Sequence, residues 1–278
     1  MTSPDAQPST PSVTLTMLGT GNAAVTRCYN TCFTLRHGDH VLLVDAGGGN
    51  GILPRLEAAG VKLGDITEIF LTHTHTDHIL GVVWVLRMIA QGINAGKFSA
   101  HLRILSHPEA LQTLENICRL TLPKKVCNRF GQEIEFIPLH DGAPFTAAGL
   151  TGTAFDIGST KARQYGFRLQ LPQEKTLVCL GDEPFAERNR ALVEHADWLL
   201  CEAFCCYADR ERFKPYEKHH STALDAGRLA AQLHVKNLLL YHTEDSDLPH
   251  RAERYANEAA TSFSGHIIVP DDGQTIIL

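Results

Sequence analysis

The segment FLTHTHTDHILG contains three histidines and an aspartate within six residues, directly after an apolar run. His73 and His75 are two apart on an extended segment, so their imidazoles point the same way and can bind one cation. Asp77 and His78 follow where the chain turns into a helix that we expect to begin near Ile79. They can offer a carboxylate and an imidazole to a second cation. The motif therefore predicts two adjacent metal half-sites rather than a polar loop.

Polar side chains also follow other apolar segments, each time at the end of a predicted strand. Asp45 follows VLLV, Asp182 follows VCLG and His242 follows LLLY, as His73 follows IFLT. Side chains at neighbouring strand ends can converge on one cleft, which is where α/β architectures assemble their sites. We therefore expect these residues to share one site.

The elements that must position this site are short strands and amphipathic helices. The strand candidates are SVTLTMLG, TCFTLRHG, HVLLVDAG, EIFLTH, HLRILSH, EIEFIPL, YGFRLQLP, TLVCLGD, WLLCEAF, NLLLYH and HIIVP. Helices are predicted over residues 51–59, 79–91, 108–119, 186–194, 222–233 and 251–263. Thr222 and Asp225 form a capping box at the start of the fifth helix. Hairpin-ordered strands followed by crossover helices predict two mixed sheets with helices outside.

Composition limits the class of protein. The chain has 278 residues, 44% of them hydrophobic, which is enough for a buried core. The net charge of -6 argues against a protein that coats nucleic acid. No apolar run approaches the ~20 residues of a membrane span, and the first residues lack a signal-peptide pattern. We expect a cytoplasmic protein with no membrane contact, a disordered leader over residues 1–11 and a single domain over residues 12–278.

These motifs resemble the metallo-β-lactamase superfamily, whose hallmark is HxHxDH followed closely by glycine. LGTGNAAV, VDAG, HTHTDHILG, LGDE and LLLYHTE occur in the expected order, so the resemblance covers nearly the whole chain. It implies the α/β (α+β) class and a four-layer αβ/βα sandwich. It also implies a binuclear metal site at one edge, between the two sheets.

The resemblance further implies which residues bind metal. Two ligand sets share one bridging carboxylate: His73 and His75 for the first metal, Asp77, His78 and His242 for the second, and Asp182 between them. Asp45 would orient the histidine segment. Two divalent ions are expected, zinc first, with manganese or iron as alternatives. His75 stands where the oxygen-reducing diiron branch has glutamate, which favours hydrolysis over redox chemistry.

The C-terminal third resembles ribonuclease Z and its phosphodiesterase relatives. Glu202 in LLCEAF and His220 in HHSTALDAG stand where that branch has a Glu-Ala-Thr and a His-Ser-Thr segment. The resemblance implies that His220, supported by Glu202, serves the leaving group, and that Asp77 orients a metal-bound hydroxide. The alternatives are that His220 only neighbours a helix cap and that Glu202 is a buried partner of His220 or Lys218.

The chain also departs from the family. A metal-binding histidine is expected shortly before YGFRL, but the sequence there is FDIGSTKARQ. Asp156 is the best substitute, His140 is a second candidate, and a weakly held or missing metal is a third possibility. Only LPQEK stands where many ribonuclease Z proteins carry a long arm for transfer RNA. Transfer RNA is therefore a less favoured partner, although the basic segments LPKKVCNR and STKAR could contact a small phosphate or a short nucleic acid.

The resulting hypothesis is a metal-dependent hydrolase, specifically a phosphodiesterase related to ribonuclease Z. Its partner would be a small phosphodiester or a short nucleic acid. Two alternatives remain open: a lactone or thioester (carbonyl) hydrolase of the same fold, and a non-catalytic protein that binds a phosphate ligand. A homodimer is expected only by analogy with the family.

Overall fold

The computed structural model describes residues 12–278, so the predicted leader over residues 1–11 lies outside the described part. Fourteen strands occur within that part. They are β1 (Val13–Gly19), β2 (Cys32–His37), β3 (His40–Val44), β4 (Ile66–Phe70), β5 (Leu102–Ser106), β6 (Ile134–Pro138), β7 (Pro144–Ala147), β8 (Leu150–Asp156), β9 (Tyr165–Gln170), β10 (Thr176–Cys179), β11 (Trp198–Glu202), β12 (Asn237–Tyr241), β13 (His266–Ile268) and β14 (Thr275–Ile277).

Eight α-helices occur in the same range. They are α1 (Ile52–Ala58), α2 (Thr76–Asn94), α3 (Pro108–Thr121), α4 (Lys124–Cys127), α5 (Arg190–Val193), α6 (Arg210–Phe213), α7 (Ala223–Gln232) and α8 (Leu248–Ala260). None of these helices is long and apolar enough to cross a membrane.

The strands form two seven-stranded sheets. The first has the order β14-β1-β2-β3-β4-β5-β6 and the second has the order β13-β12-β11-β10-β9-β8-β7. Strands β3 to β6 run parallel to one another, as do β10 to β13, whereas the remaining pairings are antiparallel. Because parallel strands end at the same edge of a sheet, each sheet presents a row of carboxyl ends from which side chains can converge.

Successive side chains along each strand alternate between the core between the sheets and the core under the helices. In β3, Leu42 belongs to the apolar cluster between the two sheets, while Leu43 belongs to the cluster that packs against α1, α2 and α3. In β11, Leu200 faces the other sheet, while Leu199 faces the helices α7 and α8. Successive strand residues point to opposite faces, so both sheets are buried on both sides. The predicted four-layer sandwich is confirmed.

Some boundaries differ from those predicted. Helix α2 begins at Thr76, three residues before the predicted start, so Asp77 and His78 lie in its first turn. The helix predicted over residues 186–194 is reduced to a 3-10 turn and the short α5. Strands β7, β8 and β14 were not predicted. Strands β7 and β14 are edge strands of four and three residues with little periodicity, and the β8 sequence LTGTAFD has no continuous apolar run. The Thr222 and Asp225 capping box is confirmed.

Candidate metal centre and active site

The predicted residues meet where the carboxyl ends of both sheets face each other. Asp45 and His73 follow β3 and β4 of the first sheet, while Asp182 and His242 follow β10 and β12 of the second. These four side chains are buried, at 4% exposed or less, although each is polar. Buried polar groups persist only when they are paired or when they bind an ion. The pairing of each one therefore shows what the site is built to hold.

Asp45 anchors the histidine segment. Its Oδ1 accepts a hydrogen bond from the Thr72 backbone N–H at 2.8 Å, and its Oδ2 accepts from Thr72 Oγ1 and from His78 Nδ1, each at 2.7 Å. Asp45 adopts a left-handed backbone conformation with φ of 53°, as does His242 with φ of 58°. Such a conformation costs a non-glycine residue about 1–2 kcal/mol. The contacts at the strand ends must offset that cost.

Four side chains form the second half-site. The distances are 3.3 Å from His78 Nε2 to Asp77 Oδ2, 3.5 Å from His78 Nε2 to Asp182 Oδ2, 3.6 Å from His242 Nε2 to Asp77 Oδ2, and 3.4 Å from His242 Nε2 to Asp182 Oδ2. Nitrogen and oxygen ligands bound at ~2.0–2.1 Å to one tetrahedral ion lie about 3.3–3.4 Å apart. The spacing of these atoms therefore matches that of ligands around a shared cation.

The hydrogen bonding of these histidines also supports a shared cation. The Nε2 atoms of His78 and His242 are buried and have no hydrogen-bond partner among the described residues. Burial would lower the pKa of His78, but Asp45 and Asp77 hold that pKa well above its usual value. Burial would raise the pKa of Asp77, but His78 and His242 bring it far below its usual range. A cation can replace the His78 proton, because an imidazole binds metal in its neutral form.

Three side chains form the first half-site. His73 Nε2 lies 2.9 Å from His75 Nδ1 and 3.7 Å from Asp182 Oδ1. Burial lowers the pKa of His73 well below its usual value, so this imidazole is neutral. Both half-sites meet at Asp182, whose Oδ1 faces His73 and whose Oδ2 faces His78 and His242. The arrangement is compatible with a divalent metal site.

The structure does not bring Asp156 to this cluster, which corrects the prediction that it replaces the missing histidine. Its Oδ1 lies 2.7 Å from Arg188 Nη2 and its Oδ2 lies 3.6 Å from Arg163 Nε. Its Oδ1 also accepts the Gly158 backbone N–H at 2.8 Å. The carboxylate is therefore already neutralised at the part-exposed end of β8. The other candidate, His140, is an exposed residue.

Gln164, which was not predicted as a site residue, stands beside the first half-site instead. Its Nε2 lies 2.9 Å from His73 Nδ1 and donates a hydrogen bond to Asp182 Oδ1. An amide is not a typical metal ligand, so the residue type of Gln164 did not indicate a metal site. Its position directly before YGFRL, where the family has a metal-binding residue nearby, was the signal that could have found it.

Glu202 and His220 lie against the second half-site. Glu202 Oε2 is 3.7 Å from His220 Nδ1, which is too long for a hydrogen bond, and Glu202 Oε1 accepts the Ser221 backbone N–H at 2.5 Å. Burial raises the pKa of Glu202 to about 8. Burial and the neighbouring His242 lower the pKa of His220 to about 3. Both side chains are therefore neutral at pH 7, so their contact is not an ion pair.

An open cavity of about 640 Å³ lies over the cluster. Asp77, Asp182, His220 and His242 form part of its lining. Two lysines also line it, and Lys161 Nζ donates to the Lys218 carbonyl oxygen at 2.8 Å. The cavity thus combines acidic and imidazole groups at its base with two cationic side chains.

Comparisons with known proteins show which families and folds this chain is similar to. The profile of the Anti-Pycsar protein Apyc1 family matches residues 13–262. The ribonuclease Z of Thermobifida fusca (strain YX) is 28% identical over 306 aligned positions, covering 93% of this chain and 92% of the relative. The metallo-beta-lactamase fold protein YhfI from Bacillus subtilis superposes with a TM-score of 0.74 at 22% identity, covering 96% of this chain and 100% of that one.

The short form of human tRNase Z superposes with a TM-score of 0.71 at 22% identity, covering 95% of this chain and 98% of that one. The predicted ribonuclease Z-like branch of the metallo-β-lactamase superfamily is confirmed. The prediction of a metal-dependent hydrolase is confirmed with it.

Proposed function

The chain belongs to the Anti-Pycsar protein Apyc1 family, and from that premise we propose that it hydrolyses a phosphodiester with the help of two divalent metal ions. The observation that carries the proposal is the spacing in the second half-site. There, two buried imidazole nitrogens without hydrogen-bond partners lie 3.3–3.6 Å from the oxygens of Asp77 and Asp182. A cation shared with these oxygens would give both nitrogens a partner.

The proposed ligands follow from the two half-sites. His73 and His75 would bind the first ion, Asp77, His78 and His242 would bind the second, and Asp182 would contact both. Zinc is the proposed metal, because imidazole and carboxylate ligands suit it, and manganese and iron are the alternatives. Ions bound here would act as Lewis acids on the phosphodiester and would lower the pKa of water.

Two side chains, Asp77 and His220, act on the attacking water and on the departing oxygen. Asp77 stays ionised because His78 and His242 lower its pKa, so it accepts a hydrogen bond from the attacking water and orients it. Its low pKa makes it a weak base, so its contribution is orientation rather than storage of a proton. His220 is neutral and lines the cavity, so its imidazole N–H can donate a hydrogen bond to the departing oxygen.

The cavity favours an anionic substrate. Lys161 and Lys218 both line it, and positive charge at the rim attracts a phosphate. The relatives named ribonuclease Z support a phosphodiester bond as the target. We propose a small phosphodiester or a short nucleic acid as the substrate class. The other basic segment, LPKKVCNR, contributes no residue to the lining of this cavity. Cytoplasmic location and a homodimer stay predictions.

Turnover of matched substrates tests the proposal. Metal-replete protein is assayed with bis(p-nitrophenyl) phosphate, with p-nitrophenyl acetate and with a lactone. We expect the phosphodiester to be preferred, and Asp77→Asn to lower its kcat by about 100-fold or more, because an orienting group is lost. Asp39→Asn, at an exposed turn position, is the control and should leave kcat unchanged.

Two other results would contradict the proposal. Preferred turnover of the acetate or the lactone would favour a carbonyl hydrolase. Binding of inorganic phosphate without turnover of any substrate, unchanged in Asp77→Asn, would favour the non-catalytic alternative.

A further inference from the structure

Gln164 is held rigidly between the two sheets. It directly precedes β9, and its side chain is buried, with the residue 1% exposed. Its carbonyl oxygen accepts the Ile157 backbone N–H at 3.0 Å. The next residue, Tyr165, donates its backbone N–H to the Thr72 carbonyl oxygen at 3.0 Å. The backbone around Gln164 is thus tied both to the end of β8 and to the segment that carries His73.

The Gln164 side chain faces the two half-sites. Its Nε2 donates to Asp182 Oδ1, while its Oε1 is buried without a hydrogen-bond partner among the described residues. Gly181 lets it approach: a Cβ on Gly181 would lie 2.9 Å from both Cδ and Nε2 of Gln164, and Gly181 has φ of 77°. A side chain at residue 181 would therefore push the amide away from Asp182.

The tautomer of His73 follows from its neighbours. Thr72 Oγ1 donates to Asp45 Oδ2 at 2.7 Å, so towards His73 it can only accept, and His73 Nδ1 carries the proton at their 2.9 Å contact. The His73 Nε2 lone pair then points at His75 and Asp182. Since Nδ1 already donates to Thr72, the hydrogen bond of the Gln164 amide is the one to Asp182.

We propose that Gln164, and not Asp156, completes the first half-site as a positioning residue for Asp182. Its N–H occupies one lone pair of Asp182 Oδ1 and leaves the other directed at the space shared with His73 Nε2, 3.7 Å away. One cation bonded at ~2.0–2.2 Å can contact two atoms at that separation. This inference rests on the proposed two-metal centre.

Metal titration tests the inference directly. Metal-free protein is titrated with Zn²⁺ against a competing chelator, and with Co²⁺ while the visible spectrum is recorded. Gln164→Met keeps the side-chain volume but removes the donor. We expect it to bind one ion as tightly as the unsubstituted protein and the other about 10–100-fold more weakly, which is the usual effect of losing a group that orients a ligand.

Three further variants sharpen the experiment. Asp156→Asn should leave both affinities unchanged, and so should Gln170→Met, which alters an exposed glutamine at the far end of β9. Gln164→Asn keeps a buried amide but shortens it by one methylene. It should weaken the same single ion, and it serves if the methionine variant does not fold.

The outcomes separate the inference from its premise. Two unchanged affinities in both Gln164 variants would overturn it, as would loss of an ion in Asp156→Asn instead. Weakening of both ions together, with a lower melting temperature of the metal-free protein, would show a merely structural role and would also overturn it. Failure of the unsubstituted protein to bind two ions would refute the two-metal centre itself.

Discussion

At the scale of single residues, His219 and His220 separate a surface histidine from one in the site. His219 is exposed, and its Nδ1 lies 3.2 Å from Thr160 Oγ1. His220 is buried, lines the cavity, and stacks its ring on Phe204 at a centroid distance of 4.9 Å. Of these two histidines, His220 is the one that lines the cavity over the cluster.

We predict that His220→Ala lowers kcat for a phosphodiester by roughly 100- to 1,000-fold, because the hydrogen bond to the departing oxygen is lost. The metal content should stay the same, since His220 is not among the proposed ligands. His219→Ala is the matched control and should leave both kcat and the metal content unchanged. Steady-state kinetics and metal analysis check the prediction. Loss of an ion in His220→Ala would instead make that residue a ligand.

Glu202 gives a prediction about pH. Burial raises its pKa from an ordinary 4.5 to about 8, so between these pH values the folded chain holds a proton that the unfolded chain releases. Stability from this group is therefore fully present below pH 4.5 and is lost as pH rises towards 8. The slope reaches at most about 1.4 kcal/mol per pH unit for one proton.

Glu202→Gln should remove this slope, because the amide does not titrate and its oxygen can still accept the Ser221 N–H. Denaturant unfolding of metal-free protein between pH 5 and pH 8 measures the effect. The variant should gain stability relative to the unsubstituted protein as pH rises. The stability of Glu57→Gln, altered at an exposed position, should depend on pH in the same way as that of the unsubstituted protein. A parallel curve for Glu202→Gln would show that Glu202 is ionised in the folded chain.

The sequence predicted most of the site at this scale, because HTHTDH fixes residue types at a spacing that few other functions require. The sequence could not predict that Asp156 pairs with arginines instead of joining the site. The arginine that neutralises this carboxylate, Arg188, lies 32 positions further along the chain, and only the fold brings the two together. The position of Gln164 before YGFRL was a signal, but its residue type was not, because its role depends on contacts with His73 and Asp182 from two other segments.

At the scale of elements, the start of α2 determines where Asp77 and His78 lie in the site. Because the helix begins at Thr76, Asp77 lies in its first turn, where the peptide dipoles favour a negative charge. The polar residues at this start carry no apolar periodicity, so the sequence placed the start three residues later. Tertiary contacts fix it instead: the Gly81 N–H donates to the Gly47 carbonyl at 2.8 Å, and the Ala46 N–H donates to the His78 carbonyl at 3.1 Å.

Gly81 in this helix makes a close approach that no other residue allows. A Cβ there would lie 1.7 Å from the Ala46 carbonyl oxygen, which is backbone and cannot move alone. We predict that Gly81→Ala lowers the free energy of unfolding by at least ~2 kcal/mol, because α2 must shift away from the segment that carries Asp45. Metal affinity should fall with it.

Denaturant unfolding and metal titration of Gly81→Ala check this prediction. The control is Gly49→Ala, where an added Cβ meets nothing within 4 Å and φ lies outside the left-handed region. It should change stability by less than about 0.5 kcal/mol. Equal stability of the two variants would mean that the docking of α2 does not depend on this contact.

At the scale of the whole molecule, the site joins the two halves of the sandwich. His73, Asp77 and His78 come from the first sheet and the helix after it, while Asp182 and His242 come from the second sheet. The apolar runs in the sequence predicted this architecture, because strands buried on both faces leave a strong signal. The short edge strands β7 and β14 left none, since their pairing depends on strands already in place.

The measurement that tests the central claim most directly is the metal content per chain, determined by elemental mass spectrometry on protein purified without chelator. The proposed centre predicts two divalent ions per chain, and fewer than two in Asp182→Ala, because Asp182 faces both half-sites. Two ions in the unsubstituted protein, with at least one of them lost in this variant, would support the two-metal phosphodiesterase. One ion or none in the unsubstituted protein would contradict it.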